Sequence, residues 1–292
     1  MGVRRSDLEA EDCNASLRRV FERRVDLTQE PSSSQSGKGL DPFEVPVEIA
    51  VGIIYGKGVM TTPYAVLMAS PMDVEDLAIG FSLTEGVIES VDEALSIEIA
   101  RTEDGLAVAV DVSGKSLSRC LARRRALVSR TGCGVCGVED IESLPKAPRP
   151  PVGPAPDASK ARLSAMLAAL EAQQALNART RAVHAAAWFD GEGRLVAVRE
   201  DIGRHNALDK LIGALTRAGV RSEGGAALIT SRCSFEMIEK AAVFGARLVV
   251  AVSAPTSLAI DRARTLGMTL VAVARRDAAL LFTSASAQEL GP

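Results

Sequence analysis

Apolar residues recur at every second position over 45–53 and run unbroken over 65–68, on either side of Gly56 and Gly58, and this strand-like pattern over 45–54 and 65–68 predicts a pair of strands joined by a turn. A helix is expected over 74–83, with Asp73 as its cap. Residues 97–100 and 106–112 flank Glu103-Asp104-Gly105 as a second hairpin. Beyond the proline-rich stretch the pattern changes to a helix over 161–177 and strands over 183–189 and 194–198 around Asp190-Gly191. Then come helix 206–218, strand 226–230, helix 234–244, strand 248–252, helix 256–266 and strand 269–274. Strands alternating with helices predict an α/β fold with a largely parallel sheet, helices on its faces and ligands outside the carboxyl ends of the strands.

These periods divide the chain. Residues 1–40 are charged and then Ser/Gly/Gln-rich, a composition expected to form a disordered tail. Residues 41–144 read as a smaller α+β domain, 145–158 as a proline-stiffened linker, and 159–292 as the α/β domain. A net charge of -3 gives no global attraction for nucleic acid, so any anion site must be local. The apolar runs are too short to cross a bilayer, and no membrane residence is expected. Five cysteines, an odd number in a chain this long, fit a reducing cytoplasm better than a secreted disulfide framework.

Three strand-to-helix junctions, at 199–206, 231–234 and 253–257, put small, hydroxyl or basic residues where helix N–H groups lack partners. With Arg204, His205, Arg232 and Ser253 they outline an anion pocket. Asn206, Ser234 and Thr256 are equally good helix caps, so each junction alone has a plain structural reading. His184, inside a strand beside Ala185, reads as a core residue, and His205 as the functional histidine.

The pair Cys133-Gly-Val-Cys136 lies between glycines and follows Arg119, Arg123, Arg124, Arg125 and Arg130. Guanidinium groups favour the thiolate, which is the reactive form. Three chemistries stay open at this level. A zinc site would need distant ligands to complete the pair, and no metal is expected. A thioredoxin-like pair would open a helix after a strand, whereas this one precedes a proline-rich stretch. Sulfur relay through a persulfide suits an accessible thiol of low pKa. Cys13, Cys120 and Cys233 have bland readings as tail, helix and packing residues.

Several longer strings narrow the choice. They are Ser70-Pro-Met-Asp-Val-Glu-Asp-Leu-Ala-Ile-Gly-Phe, Thr84-Glu-Gly, Cys133-Gly-Val-Cys-Gly, Arg199-Glu-Asp-Ile-Gly-Arg-His-Asn-Ala-Leu-Asp-Lys, Cys233-Ser-Phe-Glu-Met and Ser253-Ala-Pro-Thr-Ser-Leu-Ala. Together they resemble the FdhD/NarQ family of formate dehydrogenase accessory sulfurtransferases, over about residues 44–285. The resemblance implies a cytidine deaminase-like mixed sheet without its zinc, and a homodimer. It also implies a sulfurtransferase that takes sulfur from a cysteine desulfurase and passes it to the molybdenum bis-guanine-dinucleotide cofactor needed by formate dehydrogenase.

By the same resemblance Cys133 carries the persulfide and Cys136 assists. The cofactor is held by Val273, Ala274, Arg275, Arg276, Asp277 and Ala278 at the last strand. The alternative from another class is a non-enzymatic carrier of the molybdenum cofactor whose thiols act as ligands or a redox gate. Two departures stand out: Ala272-Val273 replaces a Gly-Phe pair, and Thr180-Arg181-Ala182 replaces Thr-Gly-Gly.

Overall fold

The computed structural model describes residues 17–25, 34–42, 44–55, 58–113, 116, 119, 150–153 and 156–285. Its first half is a four-stranded sheet of β3 (Val45–Tyr55), β4 (Gly58–Ala69), β5 (Ala94–Arg101) and β6 (Leu106–Val112), in the order β4-β3-β6-β5. The two hairpins are antiparallel, and β3 pairs with β6 in parallel. Val47, Ile49 and Val51 alternate with Val108, Val110 and Val112 on the inward face of this sheet. That face is covered by α1 (Val74–Thr84), whose apolar residues are buried.

The second half carries α2 (Lys160–Gln173), α3 (Ala175–Thr180), β7 (His184–Phe189), β8 (Leu195–Asp201) and α4 (Arg204–Arg217). It continues with β9 (Ala226–Ile229), α5 (Phe235–Phe244), β10 (Leu248–Ala251), α6 (Ser257–Thr265), β11 (Thr269–Ala272) and β12 (Leu280–Thr283). Its six strands run in the order β12-β11-β10-β9-β7-β8, with β9, β10 and β11 parallel. Short β-rich runs such as Leu248-Val-Val-Ala, buried on both faces, are what a central parallel strand requires. Leu163, Met166 and Leu170 of α2 cover one face, and α4, α5 and α6 cover the other. The expected helix over 161–177 is thus two, broken at Gln174.

One apolar core runs from Val47 of the small sheet through α1 and α4 to Leu270 of the large one. At its centre α1 and α4 cross at two glycines. A Cβ on Gly80 would stand 1.7 Å from the Asp209 carbonyl oxygen, and one on Gly213 would stand 1.9 Å from that of Asp76. The backbones therefore touch. Charges buried beside this crossing are all paired. Asp76 accepts from Arg199 at 2.8 and 2.9 Å and from Arg217, while Lys240 reaches both oxygens of Asp209 at 2.8 and 2.9 Å and Thr84 at 2.9 Å.

Two findings differ from the expectations, and the first concerns the tail over 1–40. Residues Leu17–Val25 (β1) and Ser34–Pro42 (β2) form an antiparallel pair. Ladder bonds join backbone groups, so polar composition does not forbid them. The short edge strand β12 was also unforeseen from the pattern; it pairs antiparallel with β11. Among the described residues no helix is long and apolar enough to cross a membrane.

Candidate functional site at the carboxyl edge of the large sheet

The ends of β8, β9, β10 and β11 and the start of β7 meet along one edge. His184 pairs with Asp201 across β7 and β8, and Thr230 N–H donates to the Ala185 carbonyl at 3.0 Å. Cys233 N–H donates to Ala254 O at 3.2 Å and Thr256 N–H to Cys233 O at 3.0 Å, tying the second junction to the third. Val273 N–H donates to Ser253 O at 3.2 Å, which adds the last strand. All three expected junctions, with the 273–278 segment, are therefore contiguous.

The junctions are not equivalent. Thr256 caps α6 by accepting from Ala259 N–H at 3.2 Å, so that helix start is satisfied from within. Neither α4 nor α5 has a side-chain cap: Gly203 stands at the N-cap of α4, and Ser234 leaves its hydroxyl out of the cap of α5. Two uncapped helix starts beside arginine leave N–H groups and positive charge that an anion could use. Arg204 and Arg232 bring positive charge here: burial first, then these two guanidinium groups, hold the pKa of His184 below its ordinary value.

The structure redistributes several expected roles. Arg199 points away from the edge, to Asp76 and, at 3.5 Å, Asp73, so it serves the interior. Glu200 accepts from Leu176 and Asn177 N–H at 2.8 Å each and so closes the turn between α2 and α3. Arg275 donates to the carbonyls of Val252 and Ala274, and Arg276 pairs with Glu171. Asp277 and Ala278 are exposed, and Ala274 is buried. Val273 adopts φ 51°, a left-handed value that is costly for a β-branched side chain. Arg181 likewise takes φ 53° at the end of α3, where the resemblance has glycine.

His205, in the first turn of α4, has its Nε2 3.3 Å from Glu236 Oε2. It does not add charge. Burial, then the positive charges of Lys240, Arg204 and His184, push its pKa down to about 3. His184, read from sequence as a core residue, occupies the first position of its strand and so lies at this edge, near Arg204 and Arg232, a placement that only their position across the fold would have revealed.

Because the unfolded His205 titrates near its ordinary 6.5, the unfolded chain binds the extra proton between that pH and about 3. Stability is therefore complete above pH 6.5 and falls as the solution is acidified. From pH 7.5 to 5.0 this one group accounts for about 2 kcal/mol. Urea unfolding of His205→Gln at both pH values should show that much less acid sensitivity than the parent.

Cys233 is fully buried, and burial pushes its thiol up to about 12, so it packs and does not react. Cys133 and Cys136, with Arg123, Arg124, Arg125 and Arg130, lie outside the described residues. Arg119 is described and is already committed: it donates to Glu93 and lies 3.2 Å from Glu89. The expected effect of the 119–130 segment on Cys133 falls outside the described residues.

A profile of the FdhD/NarQ family matches residues 44–288. The chain belongs to that family. A relative from Brucella melitensis, named sulfur carrier protein FdhD, is 47% identical over 258 residues, covering 88% of this chain and 93% of the relative. One of the same name from Agrobacterium fabrum is 42% identical over 241 residues, covering 82% and 88%. The crystal structure of a protein assigned as a formate dehydrogenase accessory protein from Desulfotalea psychrophila superimposes with a TM-score of 0.63. It covers 91% of this chain and 97% of that one, at 23% identity, which speaks to the fold alone. The FdhD/NarQ match spans the four- and six-stranded sheets and the α1–α4 crossing, so the edge with Arg204 and Arg232 and the segment containing Cys133 belong to one family unit.

Proposed function

We propose that this protein is a sulfurtransferase that accepts sulfur on Cys133 and delivers it to the molybdenum bis-guanine-dinucleotide cofactor required by a formate dehydrogenase. The Cys133 thiolate attacks the outer sulfur of a persulfide on a cysteine desulfurase; that S–S bond breaks, the donor leaves as thiolate, and Cys133 holds the new persulfide. Attack of the Cys136 thiolate on Cys133 Sγ then forms a disulfide and expels sulfide toward the metal, with both electrons accounted for. A cytoplasmic dithiol reduces the disulfide and resets the pair.

The observation that carries the substrate class is the edge where two uncapped helix starts meet Arg204 and Arg232. A bis-dinucleotide brings several phosphates that need such donors. Ser253 and residues 273–278 border the same edge and would contact the nucleotide ends. Family membership and the sulfur carrier names of its relatives support the sulfur half of the reading. The cytidine deaminase-like description, the division at 145–158 and a homodimer belong to this same proposal.

The test is the mass of the Cys133 peptide after incubation with a cysteine desulfurase and cysteine without reductant. One added sulfur, lost on reduction and absent without desulfurase, is expected. An unmodified peptide in protein that still binds the cofactor would replace the transferase by a cofactor carrier.

A further inference from the structure

We infer that Asn206 is a positioning residue for the anion edge, fixing the turn before α4 so that Arg204 and the free start of that helix face one polyanion. This rests on the anion reading of the edge given above. The Asn206 amide donates to Met68 O at 2.8 Å and to Asp201 Oδ1 at 3.1 Å. The same carboxylate oxygen accepts Gly203 N–H at 2.8 Å, so both ends of the turn hang on one atom. A Cβ at position 203 would stand 2.9 Å from the Asn206 amide nitrogen, so the bonded position of that amide depends on glycine there.

Asp201 would repel an anion if it were free, and it is not. Its other oxygen accepts Ser70 N–H at 3.0 Å and lies 2.6 Å from Lys210 Nζ, which is fully buried and also donates to Ser70 O at 2.9 Å. The negative charge is thus neutralised behind the turn. The arrangement has a second effect. Asp201 and Asn206 are the residues of this turn whose side chains suit helix capping, and both are engaged behind it, so neither competes with a ligand for the first N–H groups of α4. Arg204 lies on the open side, near both histidines.

The probe is inorganic pyrophosphate, titrated calorimetrically at low salt into the full-length protein and its variants. The chain has two histidines, so histidine-labelled protein gives two imidazole signals, which His184→Gln assigns. Asn206→Ala is expected to weaken pyrophosphate binding at least fivefold and to move the His205 signal. Asn206→Ser, which keeps a hydroxyl donor, guards against loss of folding and should lie between the two.

Thr283→Val removes two buried hydrogen bonds at the far edge strand, to Leu270 and Met268, and should lower the melting temperature without changing either readout. Binding that survives Arg204→Ala would overturn the anion reading itself. Binding lost in Arg204→Ala but intact in folded Asn206→Ala or Asn206→Ser, or lost equally in Thr283→Val, would overturn the positioning role alone.

Discussion

Gly213→Ala is expected to lose more than about 3 kcal/mol of stability, enough to leave little folded protein at 37 °C. The new methyl carbon would stand 1.9 Å from the Asp76 carbonyl oxygen, and that oxygen belongs to the backbone of a buried helix that cannot rotate away. Relief requires moving α1 and α4 apart. That motion would in turn stretch the paired charges beside the crossing, since Asp76 holds Arg199 and Arg217 while Asp209 holds Lys240. Urea unfolding followed by circular dichroism checks this. A midpoint within experimental error of the parent would mean that the helices do not touch at these glycines.

The largest functional effect belongs to Cys133→Ala, which should reduce activation of the client formate dehydrogenase to the level seen without this protein. Cys233, the one thiol among the described residues, cannot substitute, because it is sealed in the core with its pKa pushed up to about 12. Cys136→Ala should retain acceptance of sulfur and fail at release, a defect that an added dithiol repairs by attacking Cys133 Sγ in its place. Folding should be unchanged in both. Client activation measured beside the persulfide mass separates the steps, and full activation by Cys133→Ala would end the relay mechanism.

Much of the second half was legible because its periods are strong: 226–230, 248–252 and 269–274 are short apolar runs between amphipathic helices, and each forms a strand. The edge was legible for the same reason, since strand order puts the junctions together. The string from Arg199 to Lys210 was prominent but mixed in meaning. Arg204 and His205 lie at the edge, whereas Arg199, Glu200, Asp201 and Lys210 hold the interior together with partners such as Asp76 and Ser70, more than a hundred residues away, or Leu176. Local pattern carries no information about such partners. The neutrality of His205 likewise depends on burial and on Lys240, and the four-residue β12 on a register with β11.

Arg119 and Pro150–Val152 line one cavity, of about 980 Å³, beside the last turn of α4, while Arg204 begins that helix. The segment between them therefore leaves and rejoins the same packed body near one end of a 14-residue helix, roughly 21 Å from the anion edge. Chain length alone bounds how far either cysteine can lie from that end. Cys133 follows Arg119 by 14 positions, and Pro150 follows Cys136 by the same number, so a fully stretched strand on either side spans roughly 45 Å. Whatever path the chain takes, that radius covers the whole length of α4. Under the proposed transfer, the same bound limits how deeply a donor's or recipient's own site can lie beneath its surface and still meet Cys133, so deleting residues on either side should narrow the range of proteins this one can supply.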